Sequence, residues 1–205
     1  MTDRFKKPNT TSRTFLTGMA IAAIAVGAAS LAAPSFVATP ASAQAVKMVG
    51  GAQMLPTRNI IENAVNSRDH TTLVAAVQAA DLVDTLQTPG PFTVFAPTNA
   101  AFARLPAGTV ESLIQPQNKA QLTSVLTFHV VPGPYTASQL QALAQQGGGQ
   151  AELATVEGGT LAVLLGSNGR GVFVADNQGN TARIPITDVM QSNGVIHVID
   201  KVMLP

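Results

Sequence analysis

The chain has 205 residues and a formal net charge of +1, a length that suits one domain plus an extension. It contains no cysteine, which excludes disulfide staples, thiolate metal sites and a cysteine nucleophile. The 12 Lys+Arg and 11 Asp+Glu include Arg4, Lys6, Lys7, Arg13 and Asp3; beyond residue 43 eight basic and ten acidic residues remain, with no basic stripe for nucleic acid and no polybasic patch for an anionic membrane.

At the front, Arg4, Lys6, Lys7 and Arg13 accompany the apolar run FLTGMAIAAIAVGAASLAA from Phe15 to Ala33, and Ala41 and Ala43 give an A-x-A site before Gln44. This is the pattern of an export signal. The alternative is an uncleaved membrane anchor. The run is rich in Ala and Gly, and its most apolar part is shorter than the ~20 residues a span prefers, which favours a cleaved signal over residues 1–43. The expected location is exported, periplasmic or extracellular, with no membrane span after cleavage.

Residues 44–56 have no clear period and read as a short linker ahead of one domain over 57–205. In TRNIIENAVNS, Ile60, Ile61, Ala64 and Val65 share a helical face. Asn59 and Glu62 fit a capping box, with Thr57 as the other candidate cap. HTTLVAAVQAADLVDTLQ reads as a second helix, striped by Leu73, Val74, Val77 and Ala80, continued by Leu82, Val83 and Leu86, and capped by Thr71 or Thr72. TPGP stops it. Phe92 to Ala96 is a strand apolar on both faces, hence interior to a sheet, and Pro97 ends its ladder. Thr98 suits the N-cap of a helix through NAAFARL, which sets Phe102 to pack back on the strand. GTVESLIQ, NKAQLTSVLTFHVV (Leu122, Val125 and Leu126 inward) and ASQLQALAQQ (Leu140 and Leu143 inward) read as further helices. From Ala151 the chain turns to strands: AELATVEG and TLAVLLG around the Gly158-Gly159 hairpin dipeptide, then VFVAD, TARIPIT and GVIHVIDKVML. Helices first and strands last predict an α+β fold with an antiparallel or mixed sheet rather than a doubly wound α/β fold.

Two stretches, TVFAPTNAAF (Thr93 to Phe102) and NGVIHVIDKVMLP (Asn193 to Pro205), resemble the signature segments of fasciclin-like domains, and LTFHVVPG (Leu126 to Gly133) resembles that family's central Tyr-His segment. The resemblance covers nearly all of the chain after the leader. It implies a wedge of two β-sheets, about seven strands in all, with helices packed over one side. Thr93, Phe95, Pro97, Thr98, Phe102, Asn193, Gly194, His197 and Asp200 stand at signature positions. It also implies non-enzymatic work at a cell surface, matrix or biofilm, with a protein or cell-surface polymer as partner. An apolar small molecule is the other partner it suggests, since some members bind carotenoids. The Tyr-His pair of animal adhesion members reads Phe128-His129 here, without the hydroxyl. Their Glu-Pro-Asp-Ile-Met motif reads Ile186-Thr187-Asp188-Val189-Met190, keeping Asp and Met. Phe128, His129, Asp188, Val189 and Met190 are therefore the candidate contact residues.

The histidines are His70, His129 and His197. Alternation in a strand sets Val195, His197 and Ile199 on one face and Ile196 and Val198 on the other. A His197 with apolar neighbours on both faces reads as buried and neutral, held by a backbone carbonyl or by a hydroxyl such as that of Thr98. His129 reads as a helix C-terminal residue bonded to the last carbonyls, or as a surface contact; His70 reads as exposed. No G-x-S-x-G, H-E-x-x-H, calcium loop or P-loop pattern occurs. Glu152 and Glu157 read as solvated charges rather than an acid/base couple, and Asn168-Gly169 and Asn193-Gly194 as turn chemistry. Phe92, Phe95 and Phe102 read as core rather than as an aromatic ligand box. No catalytic residue, cofactor or metal is expected. Two functions follow: an exported adhesion or surface-interaction module, or a soluble carrier of an apolar small molecule such as a carotenoid or lipid. In the second, TLVAAVQAADLV and SQLQALAQQ would line a groove.

Overall fold

The computed structural model describes residues 46–166 and 171–205. The leader expected over 1–43 and the Asn168-Gly169 turn lie outside the described residues.

The segment read as linker carries structure. Gly50 and Gly51, both at positive φ, turn the chain between β1 (Lys47–Val49) and β2 (Ala52–Met54), which pair antiparallel. Strands of three residues are too short to display a period, so the sequence pattern missed them. Val49 and Met54 are buried, whereas Met48 is exposed.

α1 (Ile60–Ala64) starts on the expected capping box, Asn59 accepting from the Glu62 N–H and the Glu62 carboxylate accepting from the Asn59 N–H. Its inward face is shifted: Asn63 is buried and Val65 exposed. The long second helix divides into α2 (Thr71–Ala79) and α3 (Val83–Gln87) because Asp81 between them adopts φ 55, a left-handed residue that ends a helix. Neither expected threonine caps α2. Asn99 does so from a distance, its Oδ1 accepting from the Thr72 N–H at 3.0 Å.

After β3 (Phe92–Pro97), Thr98 caps α4 (Asn99–Phe102), its hydroxyl accepting from the Ala101 N–H. α5 (Thr109–Leu113), α6 (Lys119–Phe128), β4 (Val130–Pro132) and α7 (Ala137–Gln146) follow. The strands β5 (Gln150–Ala154), β6 (Thr160–Leu165), β7 (Val172–Ala175) and β8 (Thr181–Arg183) then form one antiparallel meander. TARIPIT is not one strand. It leaves the meander after β8, passes Pro185, which has no N–H to donate, and enters the other sheet as β9 (Ile186–Gln191). β10 (Gly194–Ile199) closes that sheet, whose order is β4-β3-β10-β9.

β10 runs parallel to β3, with Ile196 opposite Val94 and His197 opposite Phe95, and antiparallel to β9. The alternation of these central strands creates two cores. Val94, Ala96, Ile196 and Val198 pack with the helical layer of α1, α2 and α6. Phe95 and Ile199 pack into the space between the two sheets with Leu161, Val163 and Val174. The helices do not all share one side, because Leu140 and Ala144 of α7 fill the inter-sheet core. The fold is α+β with two open four-stranded sheets and a hairpin, ten strands among the described residues where about seven were expected.

Candidate functional site

His197 sits at the centre of the inter-sheet core, fully buried and stacked on Phe95 with ring centroids 5.6 Å apart. Its Nε2–H donates to the Tyr135 carbonyl at 2.8 Å, and its Nδ1 accepts from the Asp188 N–H at 3.3 Å. The expected carbonyl partner is present. The expected Thr98 hydroxyl is not, since that group caps α4. His197 thus ties β10 to the loop before α7 and to a bulge in β9, where the register shifts between Ile196 and Val198 and Asp188 adopts φ 52. The bulge aims the Asp188 carboxylate at α7, where Oδ1 accepts from the Ala137 N–H at 2.6 Å. A carboxylate on the first amides of a helix is favourable. Lys47 donates to the neighbouring Thr187 carbonyl. Thr93 reinforces the loop, its hydroxyl donating to the Gly133 carbonyl at 2.6 Å and accepting from the Tyr135 N–H at 2.8 Å.

His129 repeats the arrangement with its nitrogens exchanged. Nδ1–H donates to the Val125 carbonyl of α6 at 2.7 Å, and Nε2 accepts from the Met203 N–H at 3.0 Å. The helix-end reading is right about the carbonyl, but the ring and its neighbour Phe128 are buried, so neither presents a surface. Burial pushes the His129 imidazole down to about 4, partly countered by the Val125 carbonyl and Asp176. Burial also lowers His197, against the Tyr135 carbonyl and Asp188, with Lys47 adding to the fall. His70, expected at the surface, is buried as well. Its Nδ1 shares a hydrogen bond with Ser67 Oγ at 2.9 Å, and burial lowers its pKa against the opposing effects of Asp69 and the Ala96 carbonyl.

The remaining signature residues are fasteners. Asn193 Oδ1 accepts from the Ile60 N–H at 3.1 Å while Nδ2 donates to the Leu86 and Thr88 carbonyls. Gly194 leaves room for β3: a Cβ there would lie 2.1 Å from the Phe92 carbonyl oxygen. Asp200 Oδ1 accepts from the Arg183 N–H at 2.8 Å, and Oδ2 pairs with the Arg104 guanidinium at 3.2 Å. Pro97 ends β3, and Phe102 is buried in the helical core. Of the candidate contact residues, Val189 is buried and Asp188 and Met190 are half-buried. Asn63, not among the expected site residues, is buried and bonded to the Leu55 N–H, the Leu55 carbonyl and Gln191. Its position one turn after Ile60, on the inward side of α1, was the available signal.

The helical layer also holds an apolar pocket of about 60 Å³, bounded by Ile61, Leu73, Val77, Leu86, Leu126 and Val130, among others. α2 lines it, as the carrier reading expects; α7 does not, being committed to the other core. Phe92 and Phe102 belong to the helical core and Phe95 to the inter-sheet core, so the three rings form no box. Glu152 and Glu157 are exposed. Among the described residues no group of three or more His, Asp or Glu side chains could hold a metal ion, and no helix is long and apolar enough to cross a membrane.

The fasciclin domain model matches residues 68–205, from just before α2 through β10 to residue 205. The chain belongs to the fasciclin domain family. Protein sll1483 of a Synechocystis species is 51% identical to it over 71% of this chain and 73% of that protein. Immunogenic protein MPB70 of Mycobacterium bovis is 33% identical over 98% of each. Among solved structures, a FAS1 domain pair from the insect cell adhesion molecule fasciclin I aligns with a TM-score of 0.63 at 20% identity, covering 72% of this chain and 51% of that one. The chain therefore spans about half the length of the insect domain pair, and the likeness is one of fold.

Proposed function

We propose that this fasciclin protein is an exported, non-catalytic interaction module, periplasmic or extracellular, that contacts a protein or a cell-surface polymer. The observation that supports the reading best is the fate of its histidines. His129 and His197 are buried and bonded at both ring nitrogens within the fold, and His70 is buried against Ser67. Two of the three histidines, the side chains best suited to general acid–base chemistry near neutral pH, thus have both ring nitrogens engaged in holding the structure. Phe128, His129 and Val189 are enclosed, so a contact surface at the matching motifs narrows to Met190 with Asp188 beside it. Deleting the gene should reduce attachment or aggregation, and Met190→Glu should reproduce the loss with folding intact. Unchanged attachment in the deletion strain contradicts the reading.

The apolar pocket favours a second reading, a carrier for an apolar small molecule such as a carotenoid or lipid, for which the cavity of about 60 Å³ has to widen several-fold on binding. Its walls are mostly aliphatic side chains of α1, α2, α3 and α6, joined by Phe92, Phe95, His129 and the exposed Val156. Solvent extraction of the protein purified from its native source should release a bound pigment or lipid; a colourless, lipid-free extract contradicts this reading.

A further inference from the structure

A second, smaller cavity of about 20 Å³ lies under the β1–β2 hairpin. Its outer wall is Val49 and Met54; its floor is Val94 and Ala96 of β3 with Ile196 and Val198 of β10. Ile60, Ala64, Leu73 and Val94 border both this cavity and the larger pocket, so the two adjoin at those side chains. The hairpin that covers it is slight. It is two strands of three residues, and a two-stranded ribbon is marginal by itself. It forms its own sheet and belongs to neither larger one. Its inward anchors are Val49 and Met54, while Val46 and Met48 on the outer side are exposed. Its polar ties are also few: the Gly50 carbonyl accepts from the Arg68 N–H at 3.2 Å, and Lys47 reaches the Thr187 carbonyl. Val49 and Met54 add two side chains to the edge of the helical core, whereas Ile196 and Val198 beneath them are held in β10 by β3 and β9 whether or not the hairpin is seated.

We propose that the β1–β2 hairpin is a strap that lifts as a unit while both sheets stay folded, uncovering the inner cavity and giving the helical-layer pocket a second opening. Elements with few buried contacts open at free energies below global unfolding, and the hairpin meets that condition where β3 and β10 do not. The lifting itself is independent of any ligand; its use as an entrance rests on the carrier reading.

The chain has no cysteine, so a single introduced thiol reports access in the full chain. Ile196→Cys lies under the strap, and Ile199→Cys, three residues on in the same strand, faces the inter-sheet core. Labelling with a thiol reagent should be at least about ten-fold faster at Ile196→Cys, and nearly unchanged by low urea, as for local opening. At Ile199→Cys it should be slow and rise steeply with urea. Equal rates with equal urea dependence overturn the proposal. Hydrogen exchange on the unmodified chain repeats the test free of any effect of substitution: the amides of Val49 and Met54 should exchange well before those of β3 and β10, and equal protection overturns it. Adding cis-parinaric acid, a fluorescent fatty acid, separates the two ideas. Slower labelling of Ile196→Cys supports the strap as an entrance. Unaltered fast labelling removes the apolar carrier and leaves the lifting strap established.

Discussion

At the scale of single residues, His129 and His197 behave as neutral bridges. Each donates one N–H to a carbonyl and accepts one backbone N–H from a distant segment. Removing such a ring leaves a buried donor and a buried acceptor without partners, which costs more than the bond itself contributes. His197→Ala should lower the unfolding free energy by about 1–3 kcal/mol, read by chemical denaturation. Protonation does comparable damage, because a cationic ring cannot accept. Burial lowers the His129 pKa from 6.5 to about 4, so between those values the unfolded chain binds the extra proton and the folded chain does not. The stabilisation is complete well above pH 6.5 and declines as the pH falls, the loss reaching about 3 kcal/mol by pH 4 for this group. His197 and His70 are lowered too and steepen the same descent. Denaturation midpoints at pH 7 and pH 4.5 check this; His129→Gln should flatten the profile.

At the scale of elements, the parallel pair β3–β10 organises the domain. Each strand gives one face to the helical core and the other to the inter-sheet core. Gly194 permits the approach that begins this pairing. Gly194→Ala would drive a methyl group into the Phe92 carbonyl and should cost about 2–4 kcal/mol in thermal or chemical unfolding. Asp188 links the sheets in another way, by capping α7 from the β9 bulge. Asp188→Ala should cost about 1 kcal/mol, with faster amide exchange in the first turn of α7. Much of this architecture was legible in the sequence. The apolar strand Phe92 to Ala96, the Asn59–Glu62 box, the Thr98 cap and the alternation around His197 all follow from local pattern. The rest depends on neighbours brought together by folding. The Asp81 break divided a continuous apolar stripe, Pro185 marked a change of sheet rather than the middle of a strand, and Asn99 replaced a local cap. The hairpin of residues 47–54 was too short to be seen.

At the scale of the whole molecule, the signature segments serve assembly. Thr93, Asn193, His197 and Asp200 each fasten parts of the chain that are far apart in sequence. Sequence reasoning located these residues but assigned their partners incompletely, since a hydrogen-bonding side chain does not announce which carbonyl will meet it. The candidate site was less legible. Phe128 and His129 match an adhesion motif by residue type, yet both are enclosed, and the apolar pocket arises from four helices whose packing no single stretch specifies. Filling that pocket separates the two functional readings. Val77→Phe should abolish uptake of cis-parinaric acid, read by fluorescence, while leaving attachment intact if contact runs through Met190.

The central claim is that the imidazoles of His129 and His197 belong to the fold and are not offered to a substrate or metal. Nitrogen-15 NMR of the histidine rings tests it most directly. His129 should hold its proton on Nδ1 and stay neutral at pH 5.5, and His197 should hold its proton on Nε2 at pH 7. Rings that average between tautomers and titrate near 6.5, as free imidazoles in water do, would contradict it.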